Sequence, residues 1–447
     1  MPMNNKLYRI GQLSKKAELP ISTLNHYLNL KLIKPEKVIG SGYRLFSNKT
    51  LETILEIQKL KKEYLPLSVI KQQLRKGREL LIKEPSAQYR QLTLPTFEPE
   101  YPPITFQFPS TRFQGSKLKL VEWIWQNCKH LDFNSVLDAF GGTACVSYLF
   151  KTRGKQVFYN DYLKSNYYIG LALIENSRET LTQEDVEEIL KRHPEMKYPT
   201  FIQETFKGIY FTDEENEWLD VVVTNIDTLI TNIYKKAIAY FALFQSCVIK
   251  RPYNLFHRKN LYMRTAKVKR SFGNKITWDT PFPVHFVRFV EQANESIFDN
   301  EQKNKAFCTD ALDVKGKYDL VYIDTPYISS KGVGVDYLEF YHFLEGLVKY
   351  NKWETLIDWK SKHLRIKHGK SIWNDKNKIY QAFDTLFKKF ADSILVVSYR
   401  SDGIPSDADL MSLLKKYKAK VIEFNRKNYK YVLSNNGESQ ELLFVAE

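Results

Sequence analysis

The chain has 447 residues, long enough for two or three domains, and its 43% hydrophobic and 14% aromatic content excludes a wholly disordered protein. Lys and Arg number 67 against 51 Asp and Glu, a formal net charge of +16 that favours a polyanionic partner. Four cysteines (Cys128, Cys145, Cys247, Cys308) lack Cys-x-x-Cys spacing and the eight His are scattered, so neither a disulfide framework nor a bound metal is expected.

Residues 1 to 83 hold 17 Lys and Arg against 6 acidic residues, so +11 of the excess falls in under a fifth of the chain. Within them, LYRIGQLSKKAELPISTLNHYLNLKLIKPEKVIGSGYRLF (7 to 46) places a first helix, a turn near Leu19-Pro20, a second helix from about Ser22, and a closure on Gly42-Tyr43-Arg44. This segment resembles the winged helix-turn-helix of MerR-type regulators. The resemblance implies a small α-helical DNA-binding domain whose second helix lies in the major groove. Thr23, Asn25 and His26 would then face bases, with Tyr43 and Arg44 at the wing and Arg44 on a phosphate. Asn25 stands where that family commonly has Arg. A further helix is expected from about 51 to 83, interrupted by Pro66. No long dimerisation helix is evident; the sequence leaves the oligomeric state open, with a monomer favoured over a dimer. Residues 84 to 108 are rich in Pro and read as a semi-extended linker.

In TRFQGSKLKLVEWIW (111 to 125) a short loop leads into an amphipathic helix, and Lys117 in that loop can reach a carboxylate. VLDAFGGTA (136 to 144) reads as a buried strand running into a Gly-rich turn and then a helix. Such a turn lets a cofactor approach the backbone where a side chain would block it. QVFYNDY (156 to 162) is a second strand ending in Asp161, about 20 residues on, where nucleotide-binding sheets hydrogen-bond ribose hydroxyls. Residues 180 to 236 look helical and charged. From Cys247 to Trp278 come nine cations (Lys250, Arg251, Arg258, Lys259, Arg264, Lys267, Lys269, Arg270, Lys275) with interleaved aromatics and no acidic residue. Basic charge grips phosphate, while aromatics can wedge or stack beside an extruded base.

DLVYIDTPY (319 to 327) is an apolar strand ending in Asp324-Thr325-Pro326-Tyr327, close to the Asp-Pro-Pro-Tyr signature of enzymes that methylate amines of nucleic acid bases. The lone pair of an exocyclic amine is delocalised into the ring, so the site must accept hydrogen bonds from the NH2 group to localise it. Asp324 and the Thr325 carbonyl can do so, Pro326 fixes the turn, and Tyr327 offers a flat face to a base that has left its stack.

These segments, in this order, resemble the Dam-like adenine-N6 DNA methyltransferases over about residues 109 to 447. The resemblance implies an α/β fold: a Rossmann-like class I sheet that binds S-adenosylmethionine, with a helical, basic target-recognition insertion at about 180 to 300. By matching motif it implies cofactor contacts from Phe113, Lys117, Asp138, Phe140 and Gly142, from Asp161 as the ribose acid, and from Asp310 in KAFCTD as the adenine-recognising acid. Ala144 stands where the family's second turn glycine is usual, and Thr325 replaces the first Pro. Strands are expected at VLDAF, VFYND, AFCTD, LVYID, ILVVSY, VIEF and LLFV. The longest apolar run, 237 to 249, is too short to span a bilayer, and no signal peptide precedes the helix-turn-helix, so a cytoplasmic protein without a membrane partner is expected.

The expected activity is site-specific methylation of adenine in double-stranded DNA by base flipping, with a restriction endonuclease as possible companion. Two other readings stay open: methylation of cytosine or of RNA, and a MerR-type regulator whose methyltransferase-like half senses a ligand.

Overall fold

The computed structural model describes residues 7–17, 19, 24, 27–28, 32–38, 44–62, 107–266, 275–426 and 439–447, which fall into two compact units, 1–100 and 101–447.

In the first unit β1 (Tyr8–Arg9) runs into α1 (Ile10–Ala17), and β2 (Lys37–Val38) and β3 (Arg44–Phe46) precede α2 (Asn48–Lys62). The three short strands form an antiparallel sheet in the order β1-β3-β2. Leu13 and Ala17 lie one helical turn apart on α1 and are both buried, in a small core with Leu24, Tyr27, Phe46, Ile54 and Ile57. The Tyr8 hydroxyl donates to Asn48 Oδ1 at 2.7 Å, fastening β1 to the start of α2. The β2–β3 pair flanks the expected wing, and Arg44 opens β3. Thr23, Asn25, His26 and Tyr43, the continuation of the helix past residue 62 and most of the linker lie outside the described residues.

The second unit is built on seven strands: β4 (Ser135–Asp138), β5 (Gln156–Asn160), β6 (Lys305–Phe307), β7 (Leu320–Ile323), β8 (Ile394–Arg400), β9 (Val421–Arg426) and β10 (Glu441–Ala446). Their order is β6-β5-β4-β7-β8-β10-β9. The first five are parallel, and β10 runs antiparallel to both β8 and β9. All seven expected strands are present. The parallel ones are legible as short continuous apolar runs because such strands are buried on both faces. Side chains alternate between two cores: Val136, Leu320, Tyr322 and Val396 face one, and Leu137, Val321, Ile323 and Val397 the other.

The long connection from β5 to β6 carries α3 (Gln183–Leu190), α4 (Asp213–Leu229), α5 (Ile233–Ile249) and α6 (Phe282–Ser296). Thr182 and Thr212 close capping boxes on α3 and α4. Every residue of α5 from Ala237 to Ile249 is buried, which explains the 13-residue apolar run: a helix that is apolar all round belongs in a core. Most buried apolar residues of this connection belong to the same core as Val136 and Leu320, so its four helices pack as one body with the sheet. Among the described residues no helix is long and apolar enough to cross a membrane, and no group of three or more His, Cys, Asp or Glu could hold a metal.

Candidate active site

In an open parallel sheet the strand order reverses at one point, and the C-terminal strand ends there leave a crevice. Here the reversal lies at β4, flanked by β5 and β7. A cavity of about 400 Å³ opens there, and Phe113, Lys117, Asp138, Phe140, Gly142, Asp161 and Asp310, the seven residues expected to hold a cofactor, all line it together with Asp324 and Pro326.

The Gly-rich turn after β4 lines the cavity. A Cβ on Gly141 would meet the Tyr159 ring at 2.1 Å, and Gly142 sits at φ +50°. Ala144 adopts the left-handed region at φ 65°, so the turn keeps the backbone that a second glycine would favour while carrying a methyl group. The Gly142 N–H donates to Asp161 Oδ2 at 2.9 Å and the Leu163 N–H to Oδ1 at 2.8 Å. Burial nevertheless pushes the Asp161 carboxyl up to about 6. Burial acts on Asp138 too, raising it to about 7 against the hydrogen bond from Ser147, with the neighbouring Asp324 and Asp161 charges adding to the rise. Asp138 Oδ1 is buried and has no hydrogen-bond partner. Phe113 stacks on Tyr341 at 3.7 Å, and Phe140 stands edge-on to Trp373 at 4.9 Å.

At the end of β7 the Asp324 carboxylate meets Lys117 Nζ at 2.7 and 2.8 Å. The Tyr327 hydroxyl lies 2.9 Å from Asp324 Oδ1 and 3.2 Å from Glu441 Oε1, and Lys117 also contacts both Tyr327 and Glu441. Burial opposes the charge on Lys117, but Asp324 and Glu441 outweigh it and its pKa goes up. Thr325 and Tyr327 are 3% and 5% exposed, and the Tyr327 ring stands edge-on to Tyr399 at 5.2 Å. Tyr327 therefore packs behind Asp324, whereas the sequence suggested a flat face turned to a base. Glu441, fully buried at the start of β10, was not singled out from sequence: one acidic residue before an apolar strand carries no signal of burial. Tyr337 and Tyr341 were missed as well, although their i,i+4 spacing could have marked a shared helix face. A carboxylate oriented by an ammonium and a phenol beside a nucleoside-sized cavity can accept a hydrogen bond from an incoming amine.

The basic stretch from Cys247 to Trp278 divides. Lys250 and Arg264 are buried against Glu215, at 2.9 and 2.6 Å. Burial raises the Glu215 carboxyl, but the two cations outweigh it and hold its pKa low. Arg251 is buried on the carbonyls of Tyr210, Leu255 and Arg258. These three side chains hold the segment together instead of facing solvent, because each has a fixed acceptor set that water would otherwise have to supply. Arg258 and Lys259 are exposed, while Lys267, Lys269 and Arg270 lie outside the described residues.

Residues 113–401 match the family model of D12 class N6 adenine-specific DNA methyltransferases, and residues 8–76 match that of MerR HTH family regulatory proteins. The chain is 28% identical over 353 residues to type II methyltransferase M2.HphI of Haemophilus parahaemolyticus, covering 76% of this chain and 98% of that protein. It is 28% identical over 366 residues to modification methylase StsI of Streptococcus sanguinis, covering 75% of this chain but only 52% of that relative. The N-terminal segment is 34% identical over 67 residues to the HTH-type transcriptional activator mta of Bacillus subtilis (strain 168), 15% of this chain and 26% of that protein. With its sheet order, its cavity at the strand reversal and a family match over most of its length, the chain belongs to the D12 class N6 adenine-specific DNA methyltransferases, preceded by a MerR-type helix-turn-helix segment.

Proposed function

We propose that this chain methylates the exocyclic N6 of adenine within a short double-stranded DNA sequence, drawing the methyl group from S-adenosylmethionine after the base has been extruded, as the modification member of a restriction-modification system. The meeting of Lys117 and Asp324 on the wall of the 400 Å³ cavity, with the Tyr327 hydroxyl holding the carboxylate from behind, carries this reading. The type II methyltransferase and modification methylase names of its relatives support the restriction-modification context.

The residues present fit the cofactor. Asp138 keeps one buried oxygen without a partner, an acceptor suited to an ammonium, and Asp161 and Asp310 line the same cavity as acceptors for ribose hydroxyls and an adenine amine. Phe113, Phe140 and Gly142 give it apolar walls and a close backbone. Bound there, S-adenosylmethionine would supply an electrophilic sulfonium methyl group. Asp324 accepts a hydrogen bond from the target N6–H, assisted by the Thr325 carbonyl, directs the lone pair and stabilises positive charge growing on the nitrogen. Lys117 and Tyr327 hold the Asp324 carboxylate, and Pro326 fixes the turn. The exposed Arg258 and Lys259 contact phosphate; Lys250, Arg251 and Arg264 support them from within. Thr23, Asn25, His26, Tyr43 and Arg44 are the helix-turn-helix contacts to DNA, and Lys267, Lys269 and Arg270 add positive charge to the same basic stretch of sequence as Arg258 and Lys259. The match of residues 8–76 to MerR regulators also favours a second role for this segment, binding an operator near the enzyme's own gene.

The test is long-read sequencing of DNA from a methylation-free host expressing the chain. One adenine-methylated motif is expected, lost with Asp324→Ala; unmodified DNA or modified cytosine would overturn the proposal.

A further inference from the structure

A third basic stretch lies outside both regions already considered. Residues 359 to 370, WKSKHLRIKHGK, hold Lys360, Lys362, Arg365, Lys367 and Lys370 and no acidic residue. They form a pinned hairpin. Ile357 and Ile366 are both buried and pair across an antiparallel bridge. The Asp358 N–H donates to the Arg365 carbonyl, and the Lys367 N–H to that of Leu356, each at 2.8 Å.

The hairpin is clamped to the cavity wall. Arg365 turns back onto Glu339 and Asp358, and His368 Nε2 lies 2.9 Å from Asp336 Oδ2. Asp336 caps the helix Tyr337–Leu347, accepting from the Glu339 N–H at 3.1 Å, and Tyr337 lines the cavity. Asp336, His368 and Lys370 line both this cavity and an adjoining groove of about 710 Å³ that Trp359 and Lys360 border. Lys360, Lys362, Lys367 and Lys370 are exposed.

The hairpin also adjoins the Arg258 segment. The Tyr210 hydroxyl lies 2.7 Å from the carbonyl oxygens of both Phe256 and His363, so the two backbones meet on one phenol. Burial, Arg365 and Lys259 together hold the His363 imidazole below its usual pKa, with Glu339 opposing them. At the tip Trp359 is 55% exposed. A large apolar ring beside exposed lysines on a clamped hairpin is more than a solvated charged face requires.

We propose that this hairpin and the Arg258–Lys259 segment form one basic track that takes the DNA backbone beside the extruded nucleotide, with Trp359 packed against the base step that the nucleotide leaves. The proposal rests on the DNA-methylating function proposed above. Lysines along the track neutralise consecutive phosphates, and an apolar wedge holds open a step whose stacking has been lost.

The experiment compares the full chain with its K360A/K362A/K367A variant, titrating duplex DNA that carries the methylated motif at several salt concentrations. Each phosphate no longer neutralised reduces the slope of log K against log salt by about 0.9. The variant is expected to show a slope shallower by about 2 to 3 and at least tenfold weaker binding at low salt, with an unchanged melting temperature. Trp359→Ala is expected to keep the salt slope and lower methylation of duplex more than of a duplex already mismatched at the target adenine. Unchanged slope and affinity in a folded triple variant would overturn the track. Where that variant fails to fold, lysine acylation of the unmodified chain decides: protection of Lys360 and Lys362 by duplex supports the track, and equal labelling with and without duplex overturns it. Should the unmodified chain bind duplex through these lysines yet methylate no adenine, the track stands and the proposed function fails.

Discussion

Lys117 and Asp324, 207 residues apart in sequence, meet with Nζ at 2.7 and 2.8 Å from the two carboxylate oxygens. Tyr327 shares one of those oxygens. Three hydrogen bonds thus occupy most of the carboxylate's roughly four lone-pair sites, leaving about one for an incoming N6–H.

Asp324→Ala is expected to lower methyl transfer by at least about a thousandfold, since it removes the acceptor aimed at the developing charge. S-adenosylmethionine affinity, read by calorimetry, is expected to stay within a few-fold. Tyr327→Phe should be milder, slowing turnover with little change in cofactor affinity, because the ring still packs on Tyr399. A fully active Asp324→Ala enzyme would remove that residue from the mechanism.

Asp161→Ala and Asp310→Ala are expected to do the reverse, weakening cofactor binding directly. Both residues line the cavity on its strand-end side, and loss of a charged or multiply bonded acceptor costs about 1.5 to 3 kcal/mol, roughly ten- to a hundredfold in affinity. Calorimetric affinities equal to the unmodified chain would count against these assignments.

Asp138 gives a pH signature. Its folded carboxyl titrates near 7, against about 3.9 when unfolded, so the folded state holds the proton more tightly. That contribution to stability is fully present below about pH 4 and is lost as pH rises through 7. Between pH 8 and pH 5.5 the cofactor-free protein is expected to gain about 2 kcal/mol relative to Asp138→Asn, which cannot titrate. Denaturant unfolding of both proteins at the two pH values measures it; parallel behaviour would show that Asp138 is not held protonated.

How far the site could be read from sequence follows from the same contrast. The five parallel strands and the cavity residues were legible because parallel strands are continuous apolar runs and because the Gly-rich turn and the acids at strand ends have fixed spacing. The fate of Lys250 and Arg264 was not. Their partner Glu215 is far away in the chain, at the start of α4, and a cation bound for burial has the same letter as one bound for solvent. The motif gives the residue type of Tyr327 but not its ring orientation, which depends on Tyr399 and Glu441 arriving from β8 and β10.

The division of the basic segment yields a stability prediction. Glu215→Ala leaves Lys250 and Arg264 buried without their shared carboxylate, and breaking such a set typically costs about 3 to 5 kcal/mol. Arg264→Ala should likewise destabilise the fold, whereas Arg258→Ala and Lys259→Ala should leave unfolding unchanged and weaken duplex binding. Equal stability of all four variants in denaturant would mean that the Glu215 cluster is not structural.

The last prediction concerns the two units. Residues 1 to 83 carry +11 of the net charge, and they belong to a unit separate from the one that holds the cavity. If the helix-turn-helix segment grips phosphates, a chain lacking residues 1 to 83 should bind duplex more weakly and with a flatter salt dependence, by about 0.9 in log–log slope for each phosphate it no longer neutralises. The methylated motif should survive, because the cavity and the family match that surrounds it lie in the second unit. Replacing Arg258, a phosphate contact, should weaken binding and flatten its salt dependence while leaving the motif unchanged. Sequencing of the methylated positions, alongside binding at several salt concentrations, separates the two contributions. A truncated enzyme that modifies a different or shorter motif would show that the helix-turn-helix segment reads bases of the target itself.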